Sequence, residues 1–171
     1  MSDVHRHYGK YRGVVINNVD PLRIGRIMAS VPDVGNSIPL TWAMPCVPVA
    51  GKQSGTFFLP QIGAGVWIEF EQGDIDYPIW SGCFWGSAAE VPSIANAGNP
   101  LSPSIVLETG LMNMVVISDM AGPTGGIMLK TLTGAMILIN DVGITISNGK
   151  GASIQMTGPN VTINNGALVV V

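Results

Sequence analysis

Few side chains in this sequence stand at spacings that could do chemistry, and each such set has a plainer structural use. Glu69 and Glu71 are two apart in the run Val66–Glu71. On a strand their Cα atoms would lie about 6.7 Å apart on one face, close to the separation of the paired carboxylates of inverting glycosidases. A polar strand face accounts for both acids equally well, because carboxylates are ordinarily solvated and nothing here marks a cleft or a raised pKa. His5 and His7 offer two imidazoles at a spacing that suits ligands on one strand face. No third ligand is near, and among Arg6, Lys10 and Arg12 a mobile, solvated tail is the simpler reading. Cys46 and Cys83 are the only cysteines, too few for a disulfide framework and without metal-type spacing; buried free thiols are expected. With both histidines in the tail there is no Ser-His-Asp arrangement, and no phosphate loop, dinucleotide fingerprint or zinc pattern occurs. The expectation is a protein with no catalytic residues, no cofactor and no metal.

Composition narrows the class. The chain is 47% hydrophobic and only 11% charged, against roughly 25% charged in an ordinary globular domain. Such a balance suits a membrane protein or one that buries apolar surface between subunits. No stretch approaches the ~18 consecutive apolar residues of a spanning helix. A membrane barrel would need strands of about ten residues and two aromatic girdles, whereas no aromatic follows Trp85. A net charge of −3 argues against nonspecific nucleic-acid binding. The start, Met1–Lys10, is polar with no apolar core after it, so synthesis and assembly in the cytoplasm are expected.

The elements that would position these residues are strands. Tyr11–Asn17 is β-branched and stops at the turn signal Asn18-Val19-Asp20-Pro21. Arg23–Val31 alternates and breaks at Pro32-Asp33-Val34-Gly35, while prolines 45 and 48 make Thr41–Val49 an edge strand or extended segment. Gly65–Glu71 sends Val66, Ile68 and Phe70 one way and Trp67, Glu69 and Glu71 the other; Pro78–Trp85 follows. Five short strands without a convincing helix fit a closed or nearly closed five-stranded barrel, the OB-fold. Oligonucleotide stacking on Trp42, Phe57, Phe58, Trp67, Trp80, Phe84 and Trp85 is the nucleic-acid alternative. Glu69, Glu71, Asp74 and Asp76 would repel phosphates there, so core and inter-subunit packing is the better use of the rings.

A Ser/Ala/Pro/Gly/Asn-rich stretch, Gly86–Ser104, reads as a connector. This gives a tail (1–10), a barrel domain (11–90), a linker (91–104) and a second domain (105–171). Strands begin again at Ser104–Glu108, Asn113–Asp119 and Ile127–Thr131, and glycines then recur at 126, 134, 143, 151, 158 and 166, steps of 7 to 9. Between them, runs such as Ile144-Thr145-Ile146-Ser147 and Val161-Thr162-Ile163-Asn164 alternate apolar and small polar residues, the signature of strands with one buried face. Positive φ at the glycines would turn the corners. An octad of strand and corner reads as a β-helix or β-prism, and one copy is too small to bury its inward aliphatics alone. Self-association is the expected remedy.

Several motifs in order resemble one family. Arg12-Gly13-Val14-Val15, Asn17-Asn18-x-Asp20-Pro21, Gly25-Arg26-Ile27, Trp42-Ala43-x-Pro45-Cys46, Phe57-Phe58-x-Pro60, Gly63-x-Gly65-x-x-Trp67-Ile68-Glu69-Phe70-Glu71-x-Gly73-Asp74 and Pro78-x-Trp80-x-Gly82 resemble the OB-fold domain of contractile-tail spikes. That family includes phage baseplate assembly protein V and the valine-glycine-repeat (VgrG-like) spikes of type VI secretion and extracellular injection systems. The resemblance implies an all-β chain, a five-stranded OB-fold barrel followed by an intertwined trimeric β-helix or β-prism about 40 Å long at ~4.8 Å per octad. It implies a homotrimer with Ile144, Ile146, Ile154, Met156, Val161 and Ile163 as its core. It also implies a virion baseplate or an extracellular contractile particle, in which sheath contraction drives the needle through the target cell envelope. A separate hub protein is expected at the barrel end, since neither a fused hub nor a lysozyme domain is evident. The family's iron-caging His-x-His near the C-terminus has no counterpart here, so Leu168, Val169, Val170 and Val171 are expected to dock a separate conical cap of the proline-alanine-alanine-arginine (PAAR) kind. The alternative from the residues alone is a β-helical carbohydrate-binding or glycan-degrading protein with an OB-fold accessory domain.

Overall fold

A computed structural model describes residues 6–34 and 41–170, the side chain of Val169 excepted. His5, Gly35 and Val171 lie outside the described residues. The chain is all-β apart from short 3-10 turns and divides into two units, Met1–Glu90 and Val91–Val171.

In the first unit the strands are β1 (Tyr11–Asn17), β2 (Met28–Ser30), β3 (Met44–Pro45), β4 (Ala50–Gly51), β5 (Ser54–Gly55), β6 (Gly65–Phe70) and β7 (Pro78–Phe84). Five of them form one sheet in the order β2-β1-β6-β7-β3, antiparallel except for the β3–β7 pair. A bridge between Ile27 and Ala43, with reciprocal backbone hydrogen bonds of 3.2 and 2.7 Å, draws the β2 and β3 edges together. The curled sheet wraps Val15, Ile27, Ala29, Val31, Val66, Ile68, Phe70 and Trp80. The alternation read in β6 holds: Val66, Ile68 and Phe70 are the buried side chains. Each contributes roughly 1.5–3 kcal/mol of transfer free energy.

Two segments differ from their sequence pattern. Arg23–Val31 was expected as one strand, yet only Met28–Ser30 forms one, with Ile27 joined to Ala43 by a single bridge. The cause is Asp20, whose carboxylate accepts the backbone N–H groups of Leu22 (2.9 Å), Ile24 (2.9 Å) and Arg26 (3.2 Å). These donors are satisfied by a side chain and need no neighbouring strand. The Arg26 guanidinium closes the same carboxylate through Nε at 3.0 Å and Nη2 at 2.7 Å, and lies over the Trp42 ring. The tail is likewise tied down from Arg6 onward. His7 N–H donates to Gly73 O at 2.9 Å, the His7 ring sits 5.8 Å from Phe70, and Arg6 pairs with Asp74 at 3.3 Å.

The second unit is a single sheet of eight strands: β8 (Ile105–Glu108), β9 (Met114–Ser118), β10 (Gly126–Lys130), β11 (Met136–Asn140), β12 (Gly143–Ser147), β13 (Ser153–Thr157), β14 (Asn160–Ile163) and β15 (Leu168–Val170). Their order in the sheet is their order in sequence, and every pair is antiparallel. One chain thus forms a meander, whereas the octads were read as coils of a β-helix. Connections such as Asp141-Val142 and Gly158-Pro159 hold two residues, and connections that short reverse the chain as hairpins. The six octad glycines all have positive φ. Gly143 is the most constrained of the later ones: at φ 152° its Cα lies so near the Met156 carbonyl that an added Cβ would overlap the oxygen.

Candidate functional site

The residues that could have done chemistry are dispersed or neutralised. Glu69 is on β6, but Lys10 Nζ sits 2.9 Å from its carboxylate and also donates to Ser81 Oγ at 2.8 Å. The Lys10 hydrogen bond, helped by Ser81, holds the Glu69 carboxyl below its ordinary range against a smaller opposing effect of burial. A general acid needs the opposite shift. Glu71 has left the strand for the 3-10 turn Glu71–Gly73, in which Gln72 takes φ 52°. The expected same-face pair of carboxylates on one strand does not form. Cys46 and Cys83 are both exposed, not buried as expected; Cys46 follows the end of the two-residue β3, and Cys83 sits one residue short of the β7 terminus. Among the described residues no cluster of three or more His, Cys, Asp or Glu side chains could hold a metal.

The aromatics divide between core and surface. Trp80 is buried, with its indole N–H donating to Gly25 O at 3.0 Å. The Trp67 and Phe84 rings meet at a tilt with their centroids 4.9 Å apart, and Arg12 lies 5.4 and 5.0 Å from those centroids. Phe57 and Phe58 are exposed beside Ile24, Met44 and Val49, along a groove of about 560 Å³. Among the described residues no titratable side chain lines that groove, and its walls offer packing surface.

The strongest feature lies on the eight-stranded sheet. Directly opposite residues share a face, and the register puts Ile144 opposite Met156, Ile146 opposite Ile154, Met156 opposite Val161 and Ile154 opposite Ile163. All six residues proposed as core therefore stand on one face in two adjoining columns. The columns continue beyond them. Toward β15 they take in Val170 and Leu168, opposite Val161 and Ile163. Toward β8 they take in Ile139 and Ile137, then Ile127 and Leu129, Ile117 and Val115, and finally Ile105 and Leu107. Every strand contributes two aliphatic side chains, and none of the sixteen is charged or polar.

Among the described residues of its own unit, this face lies largely open. Eleven of the sixteen are exposed, from 39% at Ile137, Ile146 and Ile154 to 64% at Ile105, while Val115, Ile144, Met156, Val161 and Ile163 are half-buried. The eight strands stacked at ~4.8 Å make a continuous aliphatic wall, and an exposed apolar surface of that extent marks an interaction site. The opposite face changes along the sheet. It is apolar through Val106, Val116, Met128 and Leu138, then turns to Thr145, Gln155 and Thr162. Sequence reading missed β8–β11 as part of the wall because both faces are apolar there, which silences the alternation.

The family model described as phage baseplate V C-terminal trimerisation domain matches residues 104–169, the span of this wall. A second, described as type VI secretion system/phage-baseplate injector OB domain, matches residues 11–85. The chain belongs to the phage baseplate V family. A search of curated proteins finds no match. Membership of the phage baseplate V family gives the curled five-stranded sheet its identity as an OB domain and supports a structural baseplate role in a virion or tail. Such domain families are typically non-enzymatic. The trimerisation domain supports a homotrimer.

Proposed function

We propose that this protein is the central spike of a contractile phage tail or related injection machine, a homotrimeric needle that sheath contraction drives through the target cell envelope. The observation that carries this reading is the uncovered aliphatic wall spanning the trimerisation domain. Three copies that close their walls together remove the apolar surface from water at roughly 25 cal/mol per Å², and the few charges of the chain leave little repulsion to resist it. Ile144, Ile146, Ile154, Met156, Val161 and Ile163 form the centre of that core. The mechanism is transmission of force through dense backbone hydrogen bonding along a stack of strands. In this reading a separate hub protein holds the OB end, and the C-terminal residues Leu168, Val169, Val170 and Val171 receive a PAAR-like tip.

Size-exclusion chromatography with light scattering tests the assembly. A particle of three times the 17.9 kDa chain mass is expected, and a stable monomer at micromolar concentration would overturn the reading. Co-purification of a hub protein with the full chain, lost when the OB unit is deleted, tests the orientation in the tail.

A further inference from the structure

Membership of a trimerising family leaves open how three chains share one needle, and the hydrogen-bond ladder bears on that question. We infer that each chain supplies one complete wall of a three-walled prism, the three walls meeting through their aliphatic faces, without strands of different chains alternating along a wall. The inference rests on the homotrimer reading above and specifies its architecture.

The first argument is backbone satisfaction. Each of β9–β14 pairs on both sides with strands of its own chain. The registers are unbroken from Ile105–Ile117 at one end to Ile163–Leu168 at the other. A strand of a second chain could enter only by breaking one of these ladders, and buried backbone donors and acceptors are almost always paired. The free sheet edges are the outer sides of β8 and β15, at the two ends of the stack. Copies must therefore meet through faces and corners.

The second argument is dimension. The strands from β9 to β13 are five residues long, about 17 Å at ~3.3 Å per residue. An equilateral prism with sides of about 17 Å has its axis about 5 Å from each wall. Packed sheets stand ~10 Å apart, so each contributes about 5 Å of side chain. Two aliphatic side chains per strand from each of three walls thus reach the axis and fill each layer. The third argument is chemistry. The wall carries only Ile, Leu, Val and Met, so identical copies face one another with no buried charge to pair. The hydroxyls and amides of Thr145, Gln155 and Thr162 face outward.

A crosslinking experiment separates this architecture from an interleaved one. In the full chain carrying Cys46→Ser and Cys83→Ser, one variant adds Thr145→Cys with Gln155→Cys and another adds Leu138→Cys with Thr145→Cys. Both pairs are directly opposite in the register and lie on the outward face. Because antiparallel pairs alternate in type, one of the two is the close, non-hydrogen-bonded kind, and either Cα separation suits a disulfide. After mild oxidation, light scattering reports assembly and a non-reducing denaturing gel reports connectivity. A trimer whose disulfides are all within single chains, running as compact monomers, is the expected result. A trimer that yields disulfide-linked dimers and trimers overturns the one-chain wall and leaves the homotrimer standing, and so does a trimer in which neither pair links. A monomeric parent overturns both readings. Should the variants fail to assemble while the parent does, isotope-filtered NMR on parent trimers refolded from labelled and unlabelled chains decides. Cross-strand contacts between Thr145 and Gln155 are then expected within labelled chains and absent between labelled and unlabelled ones; their appearance between chains overturns the inference.

Discussion

Asp20 shows how one side chain decides a stretch of backbone. It is 8% exposed and satisfies three backbone N–H groups and the Arg26 guanidinium. The Arg26 hydrogen bond, reinforced by the three backbone donors, holds its carboxyl well below the ordinary range against a contrary effect of burial. A carboxyl with a depressed folded-state pKa stabilises fully above its unfolded value of about 4, and that stabilisation drains away as pH falls below it. Asp20→Asn should therefore lower the denaturation midpoint of the barrel unit by a constant gap between pH 5 and 7, and the gap should shrink toward pH 2. A gap that persists undiminished at pH 2 would show that the charge is not what matters. Lys10–Glu69 makes a useful contrast. Its partners are 52% and 39% exposed, and exposed pairs contribute at most about 1 kcal/mol. Glu69→Gln should cost no more than that by urea titration, and should leave assembly unchanged.

At the scale of elements, what could be read in the sequence depended on whether a strand has two different faces. Val66, Ile68 and Phe70 alternate with Trp67 and Glu69, and β6 was legible to within a residue; β1 and β7 were as clear. The first half of the Arg23–Val31 run was not, because its alternation says nothing of a carboxylate three residues upstream that takes its donors. The two-residue strands β4 and β5 carry no pattern at all. In the second unit, period-2 alternation put Ile144, Ile146, Ile154, Met156, Val161 and Ile163 on one face of β12–β14, and the register does the same. Alternation did not give the strands' partners, since a face is fixed by the pleat and a neighbour by the turns. Ile68 is fully buried among β1, β2 and β6 residues, so Ile68→Ala should cost about 2–5 kcal/mol on chemical denaturation of the OB unit. Gly143 and Gly158 provide the matching test in the meander. Gly143→Ala places a methyl on the Met156 carbonyl and should part β12 from β13, seen as lost amide protection in hydrogen exchange. Gly158, at φ 55° with open space around it, sits in the left-handed region that Asn tolerates; Gly158→Asn should change stability by less than about 1 kcal/mol. Equal effects at the two sites would mean that close approach of the backbone is not the constraint.

For the whole molecule, the sheet's two faces make opposite demands, and a charge can be used to tell them apart. Ile146 and Thr145 are neighbours on β12, opposite Ile154 and Gln155 respectively. If three walls close on the aliphatic side, Ile146→Asp puts three carboxylates near one axis at one level, and Ile163→Asp does so two strands further on. Each uncompensated buried charge is worth several kcal/mol against assembly, so three in one layer exceed what the remaining layers can offset. Both variants should run as monomers by light scattering, with the OB unit still folded because its core shares no residue with the wall. Thr145→Asp adds the same charge on the outward face, where water and counter-ions screen it, and should remain a trimer of undiminished heat resistance. The comparison does not depend on how the chains are threaded, because an interleaved needle would bury the same face. A heat-resistant trimer from Ile146→Asp together with a monomer from Thr145→Asp would reverse the assignment of inside and outside.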